Sequence, residues 1–214
     1  MKINHSLISF FATAILLVSC KKDFVPSIEE RLQETAPSVC SPLRTQTPGG
    51  WGSTPRGNNP GTYLHNNFAA AFGTLTIGCV QGKTLTVTSA AAITRLLPTG
   101  GKAAVLSMNA INPTAIKNVL VGHLIALTLS VGFDTHDPNF AAAPASLGDM
   151  IVGSGTFSGM TVNDFMDIAN DVIGGCNSIY SIQDVLTTAT LINENYVDGT
   201  MDNGFLTCPD NTPR

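Results

Sequence analysis

Asn112-Pro-Thr-Ala-Ile-Lys-Asn-Val-Leu-Val-Gly-His-Leu-Ile-Ala-Leu-Thr-Leu-Ser-Val131 carries the strongest helical pattern in the chain, and its reading decides the fold. Asparagine is a good helix cap, and proline suits the first helical position, where its missing N–H removes no intrahelical bond. The pattern predicts a helix from Asn112-Pro113 to about Val131. Ile116, Val119, Leu120, Leu124 and Leu127 form one stripe, while Val121, Ile125 and Leu129 make the second half apolar nearly all round. A helix lacking a polar face is buried in a core or lies in a membrane. Lys117 and His123 interrupt the run, which falls short of the roughly 20 apolar residues that a span requires. The expected fold is therefore mainly α with a small β-hairpin (α+β), a single disulfide-stabilised helical domain around a buried central helix.

On the N-terminal side of this helix, residues 42–61 are dense in Gly, Pro and Asn and predict loop. Tyr63, Leu64, Phe68, Ala71 and Phe72 fall at helical spacing, which predicts a short helix over Thr62 to Phe72. Thr74 to Cys79 and Thr84 to Thr88 alternate Thr with Leu, Ile or Val around Gln81-Gly82-Lys83, the pattern of a hairpin. Ser89 then caps a short helix that Pro98 stops. On the C-terminal side, Thr161 with Asp164 and Ser181 with Asp184 have the spacing of capping pairs. They predict one helix ending at Gly174-Gly175 and another ending near Asn195. Asp164, Asp167 and Asp171 share a face of the first of these. Such a row can bind a cation, but it is also the ordinary solvated side of an amphipathic helix.

The first residues read as an export signal. Lys2 supplies a positive start, and the apolar run from Leu7 to Val18 is too short to remain as a span. It ends in Leu17-Val-Ser-Cys20, which resembles the lipobox of bacterial lipoprotein signal peptides. The resemblance implies a signal peptide over 1–19 and diacylation of Cys20, for example by palmitate. A lipidated N-terminus and flexible tether over 20–39 would follow. Residues 21–39 are rich in Lys, Glu and Pro and offer no sustained apolar face, so they are expected to stay flexible and to reach roughly 60 Å from a bilayer. Lys21-Lys22-Asp23 also resembles signals that send lipoproteins to the cell surface. The expected location is the outer membrane, on its surface or its periplasmic face, with the bilayer a partner through the lipid. Residues 40–208 form one extracytoplasmic domain, and 209–214 a flexible tail.

Four cysteines follow Cys20: Cys40, Cys79, Cys176 and Cys208. In an oxidising compartment an even set predicts disulfides, with three connectivities open on spacing. Because Cys40 and Cys208 bracket the domain, Cys40 with Cys208 and Cys79 with Cys176 is the favoured pairing. No Cys-x-x-Cys pair exists, and the 4 histidines are too scattered for a zinc site. The charges are unevenly placed. Arg44, Arg56, Lys83, Arg95, Lys102 and Lys117 are the only ones between Cys40 and Ile125, whereas every charge from Ala126 to Cys208 is acidic. Opposed halves suit packing within one domain, or a bipolar surface that steers a charged partner. A net charge of -4 argues against nucleic acid as a ligand.

Candidate chemistry is sparse. Gly78-Cys-Val-Gln-Gly82-Lys83-Thr84 is one residue short of a phosphate-binding loop and leads into a strand, so it lacks the helix N-terminus that would donate to phosphate. No Gly-x-Ser-x-Gly elbow is present. His136 beside Asp134 and Asp137 is the one acid–base cluster, and the alternative function is a secreted hydrolase built on it. Asp, Pro and Asn in the same segment equally make a turn. Asp198 and Asp202 supply hard oxygen ligands that could hold calcium, although the EF-hand spacing is absent; no other cofactor is implied. Trp51 is either an aromatic platform for a glycan or protein ligand, or a buried lid over the end of the domain.

Cys40 with Thr45-Gln-Thr-Pro-Gly-Gly-Trp51, Val119-Leu-Val-Gly-His-Leu-Ile-Ala-Leu-Thr-Leu129 and Asp202-Asn-Gly-Phe-Leu-Thr-Cys208 together resemble a module of secreted bacterial surface proteins. The resemblance spans nearly all of residues 40–208 and departs from the commoner version at Pro48 and in the glycine run around Trp51. It implies one extracellular domain, supports joining the first and last cysteines, and carries no activity with it. The functional expectation is a membrane-anchored lipoprotein with a non-catalytic surface module for binding, adhesion or structure.

Overall fold

The computed structural model describes Cys40, residues 42–141 and residues 143–209. The expected signal peptide, Cys20 and the expected tether lie outside the described residues, as does nearly all of the expected C-terminal tail. Among the described residues, six α-helices and five short strands follow in the order α1 (Pro48–Trp51), α2 (Pro60–Ala71), β1 (Leu75–Gly78), β2 (Thr84–Val87), α3 (Ala90–Leu96), β3 (Ala110–Ile111), α4 (Val119–His136), β4 (Ile151–Val152), α5 (Val162–Gly174), α6 (Ile182–Asn195) and β5 (Leu206–Thr207). The protein is α+β and mainly α.

Helix α4 is the centre of the core. Eleven of its residues are buried, including Leu120, Val121, Leu124, Ile125, Leu127, Leu129 and Phe133, and it packs against α1, α2, α5 and α6. By composition alone it could cross a membrane, but 61% of it is buried inside the domain, as befits a core helix. Hydroxyls are tolerated there because each bonds back to its own helix. Thr128 and Ser130 donate to the carbonyls of Leu124 and Ala126 at 2.8 and 3.0 Å.

The boundaries of this helix differ from the sequence expectation at both ends. The N-cap is Asn118, whose Oδ1 accepts from Leu120 N–H, and not Asn112. Asn112 instead leaves β3 at a left-handed φ of 47°. Its backbone N–H donates to Thr86 and its side chain bonds both the N–H and the hydroxyl of Thr88. Pairing with β2 thus takes up the residues that a local reading assigns to the first turns. At the other end the helix runs past Val131 to His136 and stops before Pro138, which disfavours helical backbone at Asp137. The helix continues through Gly132, where the ring of Phe72 occupies the space that a Cβ would need.

The remaining helices follow local chemistry. Ser89, Thr161 and Ser181 each accept the backbone N–H three residues on, and Gly175 closes α5 in the left-handed conformation at φ 85°. The supposed loop over 42–61 contains α1, capped by Thr47, and the start of α2, capped by Asn59 with Pro60 behind it. The expected hairpin is present, β1 pairing antiparallel with β2 from Leu75↔Val87 to Gly78↔Thr84. β3 adds a parallel edge to β2, and β4 pairs with β5 in a separate two-stranded sheet.

Two disulfides close the domain, Cys40–Cys208 and Cys79–Cys176, with Cα atoms 5.7 and 6.4 Å apart. These are the favoured pairs. The opposite charges of the two halves form no ion pair among the described residues. Asp164, Asp167 and Asp171 lie on the exposed face of α5.

Candidate functional site

The residues singled out by the sequence fall into two places in the fold. One is the C-terminal end of α4. There Trp51, Tyr63, Phe133 and Phe140 form an aromatic cluster, with the Trp51 ring 5.2 Å from Phe133 and the Tyr63 ring edge-on to Phe133 at 5.1 Å. Trp51 is completely buried and its indole Nε1 donates to Ser130 Oγ at 3.3 Å. The platform expectation for Trp51 is therefore corrected: an indole at the end of α1, buried against α4 and Phe140, presents no face to a glycan, and its role is the buried lid. The guanidinium of Arg44 lies 5.1 Å from the centroid of Phe140 and 5.7 Å from that of Tyr63, close enough for cation–π attraction.

His136 ends α4 exposed to solvent. Its two neighbouring carboxylates are both engaged by the fold. Tyr63 donates its phenolic hydrogen to Asp137 Oδ2 at 2.6 Å, joining α2 to the end of α4. That bond, reinforced by the N–H of Asn139, holds the Asp137 carboxyl below its ordinary range. The Tyr63 hydroxyl is pushed up, first by burial and then by Asp137. Asp134 accepts the N–H of Leu147 at 2.7 Å and fixes the single 3-10 turn at Leu147–Asp149. Burial raises its pKa, against the pull of that bond. A raised carboxyl often marks a proton donor. Here Asp134 and Asp137 line an open concavity of about 410 Å³ with residues of the segment up to Ser146, and His136 is not among its walls.

The second place is the turn after α6. Thr45 pairs there with the chain end of the helix. Its N–H donates to the Tyr196 carbonyl, its hydroxyl accepts from Tyr196 N–H, and its carbonyl accepts from Asp198 N–H. Gln46 donates its side-chain amide to Asp198 Oδ1 at 2.6 Å, and its backbone N–H to Ser130 Oγ. Asp198 sits at φ 56°, in the left-handed region that Asp tolerates in turns. Asp202 Oδ1 accepts from Asn195 Nδ2 and Gly204 N–H, and it helps to push the Tyr196 hydroxyl, already raised by burial, up to about 12. Both candidate calcium ligands thus organise this turn through protein donors. Among the described residues, the one group of three metal-type ligands is Cys79, Asp171 and Cys176. Its sulfurs are bonded to each other and have no thiolate to offer a metal.

Trp51, His136 and Asp198 therefore do not converge on one concavity. The polar residues that do most here, Arg44, Tyr63 and Ser130, were not distinguished by their sequence context, because each acts on partners distant in the chain. Thr45-Gln46 carries the one usable signal: two polar residues next to buried Leu43 and Trp51 whose hydrogen bonds must go somewhere. No family model, no curated protein and no solved structure matches the chain.

Proposed function

We propose that this chain is a lipid-anchored extracytoplasmic module, held at the outer membrane through Cys20, that binds or organises material of the cell envelope without catalysing a reaction. One observation carries the reading. The carboxylates flanking His136 are both used to hold the fold, Asp137 by Tyr63 and Asp134 by Leu147, while His136 stands outside the concavity they line. A general base needs an orienting partner and a substrate within hydrogen-bond reach, and the local geometry assigns those partners elsewhere. The disulfides favour an oxidising compartment, in keeping with the export signal.

The anchor is tested by metabolic labelling with an alkyne palmitate analogue and mass analysis of the N-terminal peptide. Label on Cys20, lost in Cys20→Ser, is the expected result, and an unlabelled chain overturns it. Catalysis is tested by screening ester, amide and glycoside substrates. Turnover that disappears in His136→Ala and in Asp134→Asn overturns the non-catalytic reading in favour of a hydrolase.

A further inference from the structure

The end of the domain away from the aromatic cluster carries apolar side chains where a soluble surface has little use for them. Val80 is 94% exposed, Ile179 86%, Ile111 73%, Met108 66% and Val105 41%, five of the seven large apolar side chains exposed among the described residues. They come from three separate segments that meet at this end. The turn between β1 and β2 is tied to the end of α5 by Cys79–Cys176 and by Lys83 N–H donating to the Gly174 carbonyl at 2.8 Å. The segment leading to β3 joins the same helix end through Leu106 N–H and the Ile173 carbonyl, also at 2.8 Å. Ile111 is carried in by the pairing of β3 with β2.

Between Leu106 and Asn118 the chain also encloses an open groove of about 410 Å³, walled by Leu106, Met108, Ala110, Pro113 and Ile116, with Lys117 at its rim. Lys83 in the turn between β1 and β2, and Lys102 and Lys117 on either side of the segment that carries Val105, Met108 and Ile111, are all exposed. Asp171 is the one carboxylate beside the disulfide.

We propose that this end is a docking surface for an anionic lipid bilayer, with Val80, Ile179, Met108 and Ile111 entering the acyl boundary and the three lysines facing the headgroups. Two features favour lipid over a protein partner. The apolar residues protrude from three separate segments, Val80, Met108 and Ile179 from turns or bends and Ile111 from the short edge strand β3, and a fluid layer accommodates separate protrusions that a protein would have to match with separate pockets. The basic residues complement anionic headgroups, each adding attraction near the surface. The surface rests on the lipid-anchored reading only for its nearness to a membrane. Docking would turn a tethered domain into one held at two points, with a fixed face towards the bilayer.

The test places tryptophan in the full chain at Val80→Trp, Ile179→Trp and, as a control outside these segments, Met201→Trp. Emission is read with vesicles of brominated phosphatidylcholine containing roughly a third phosphatidylglycerol, a composition that supplies anionic headgroups. Trp51 gives a constant buried background. Quenching and a blue shift at positions 80 and 179 but not 201 is the expected result, weaker with phosphatidylcholine alone. Lys83→Gln and Lys117→Gln should each raise the lipid concentration for half-quenching about fivefold. Positions 80 and 179 left unquenched while the chain floats with the vesicles, no flotation at all, or equal quenching without the anionic lipid overturns the proposal. The readout is local, so a chain lacking lipid on Cys20 refutes the anchor and leaves this result standing.

Discussion

Replacing Ser130 with alanine should destabilise the domain by about 2 kcal/mol, although the change removes a single oxygen atom from a buried helix. Ser130 is completely buried, and its hydroxyl donates to Ala126 within α4. The same oxygen accepts two hydrogens from outside the helix, the backbone N–H of Gln46 and the indole N–H of Trp51, each at 3.3 Å. In Ser130→Ala the helix loses nothing it needs, since the Ala126 carbonyl keeps its backbone bond. Two buried donors lose their acceptor. An unsatisfied buried donor costs about 1–3 kcal/mol. Both contacts are long for N–H···O bonds, so the low end applies, about 1 kcal/mol each. For a domain of this size such a loss lowers Tm by about 4–8 °C. Urea unfolding followed by far-ultraviolet circular dichroism measures it, with Trp51→Phe and the double variant completing a cycle. Because Trp51→Phe removes one of the stranded donors, the serine change should cost about 1 kcal/mol less in that background. A single-variant loss below about 0.5 kcal/mol, or an identical loss in both backgrounds, refutes the view that this hydroxyl stitches the N-terminal segment to α4.

Three further outcomes follow from particular contacts. His123 on α4 faces Thr190 and Asn193 of α6, and burial lowers its pKa from the ordinary value of 6.5. The unfolded chain therefore takes up the proton first, so this group's stability contribution is complete above pH 6.5 and is lost as pH falls through the folded value. Tm measured from pH 8 to pH 5, a range of about three pH units around the histidine titration, should fall more steeply for the wild type than for His123→Gln; parallel curves would exclude the effect. Removing Cys40–Cys208 by double serine substitution opens a loop spanning a separation of 168 residues and should cost about 4–5 kcal/mol, read from guanidinium unfolding; a loss under 1 kcal/mol would show that the unfolded chain gains little freedom. Gly82→Ala would place a Cβ 2.1 Å from the Gly174 carbonyl oxygen, whereas Gly100 faces open space. Thermal melts should show a loss of about 2–3 kcal/mol for Gly82→Ala and less than about 0.5 for Gly100→Ala.

How far the fold can be read from the sequence depends on how far apart the interacting groups are. Ser89, Thr161 and Ser181 were legible as caps because the donor each one accepts is three residues away. The β1–β2 hairpin was legible because its alternation is local. Asn112 and Asn118 are both good capping residues, and nothing within the helix pattern ranks them. Thr86 on β2 and Thr88 just after it decide between them by claiming Asn112. β4 and β5 are two residues each and separated by more than fifty positions, too short to show any period. At the candidate site, the burial of Trp51 was one of two open readings. The partners that settle it, Ser130 and Phe133, lie about eighty residues on. Tyr63 gave no hint that it would hold Asp137, since a tyrosine on an apolar helix face reads only as core. The exposed Val80 and Ile179 were hidden for the converse reason: an apolar residue in a short turn looks the same on paper whether it is covered or not.

The Cys40–Cys208 bond also decides how the domain carries load. The two ends of the described fold are clamped within 5.7 Å of each other at their Cα atoms. Tension applied between the segment before Cys40 and the segment after Cys208 passes through one covalent bridge and bypasses the helices between them. The core can then stay folded under pulling forces that would unravel an unclamped domain, and stretching such a chain lengthens only what lies outside the clamp. For a protein proposed to be held at the outer membrane through its N-terminus, the bridge acts as a mechanical shunt. Its reduction would make the folded interior bear the strain.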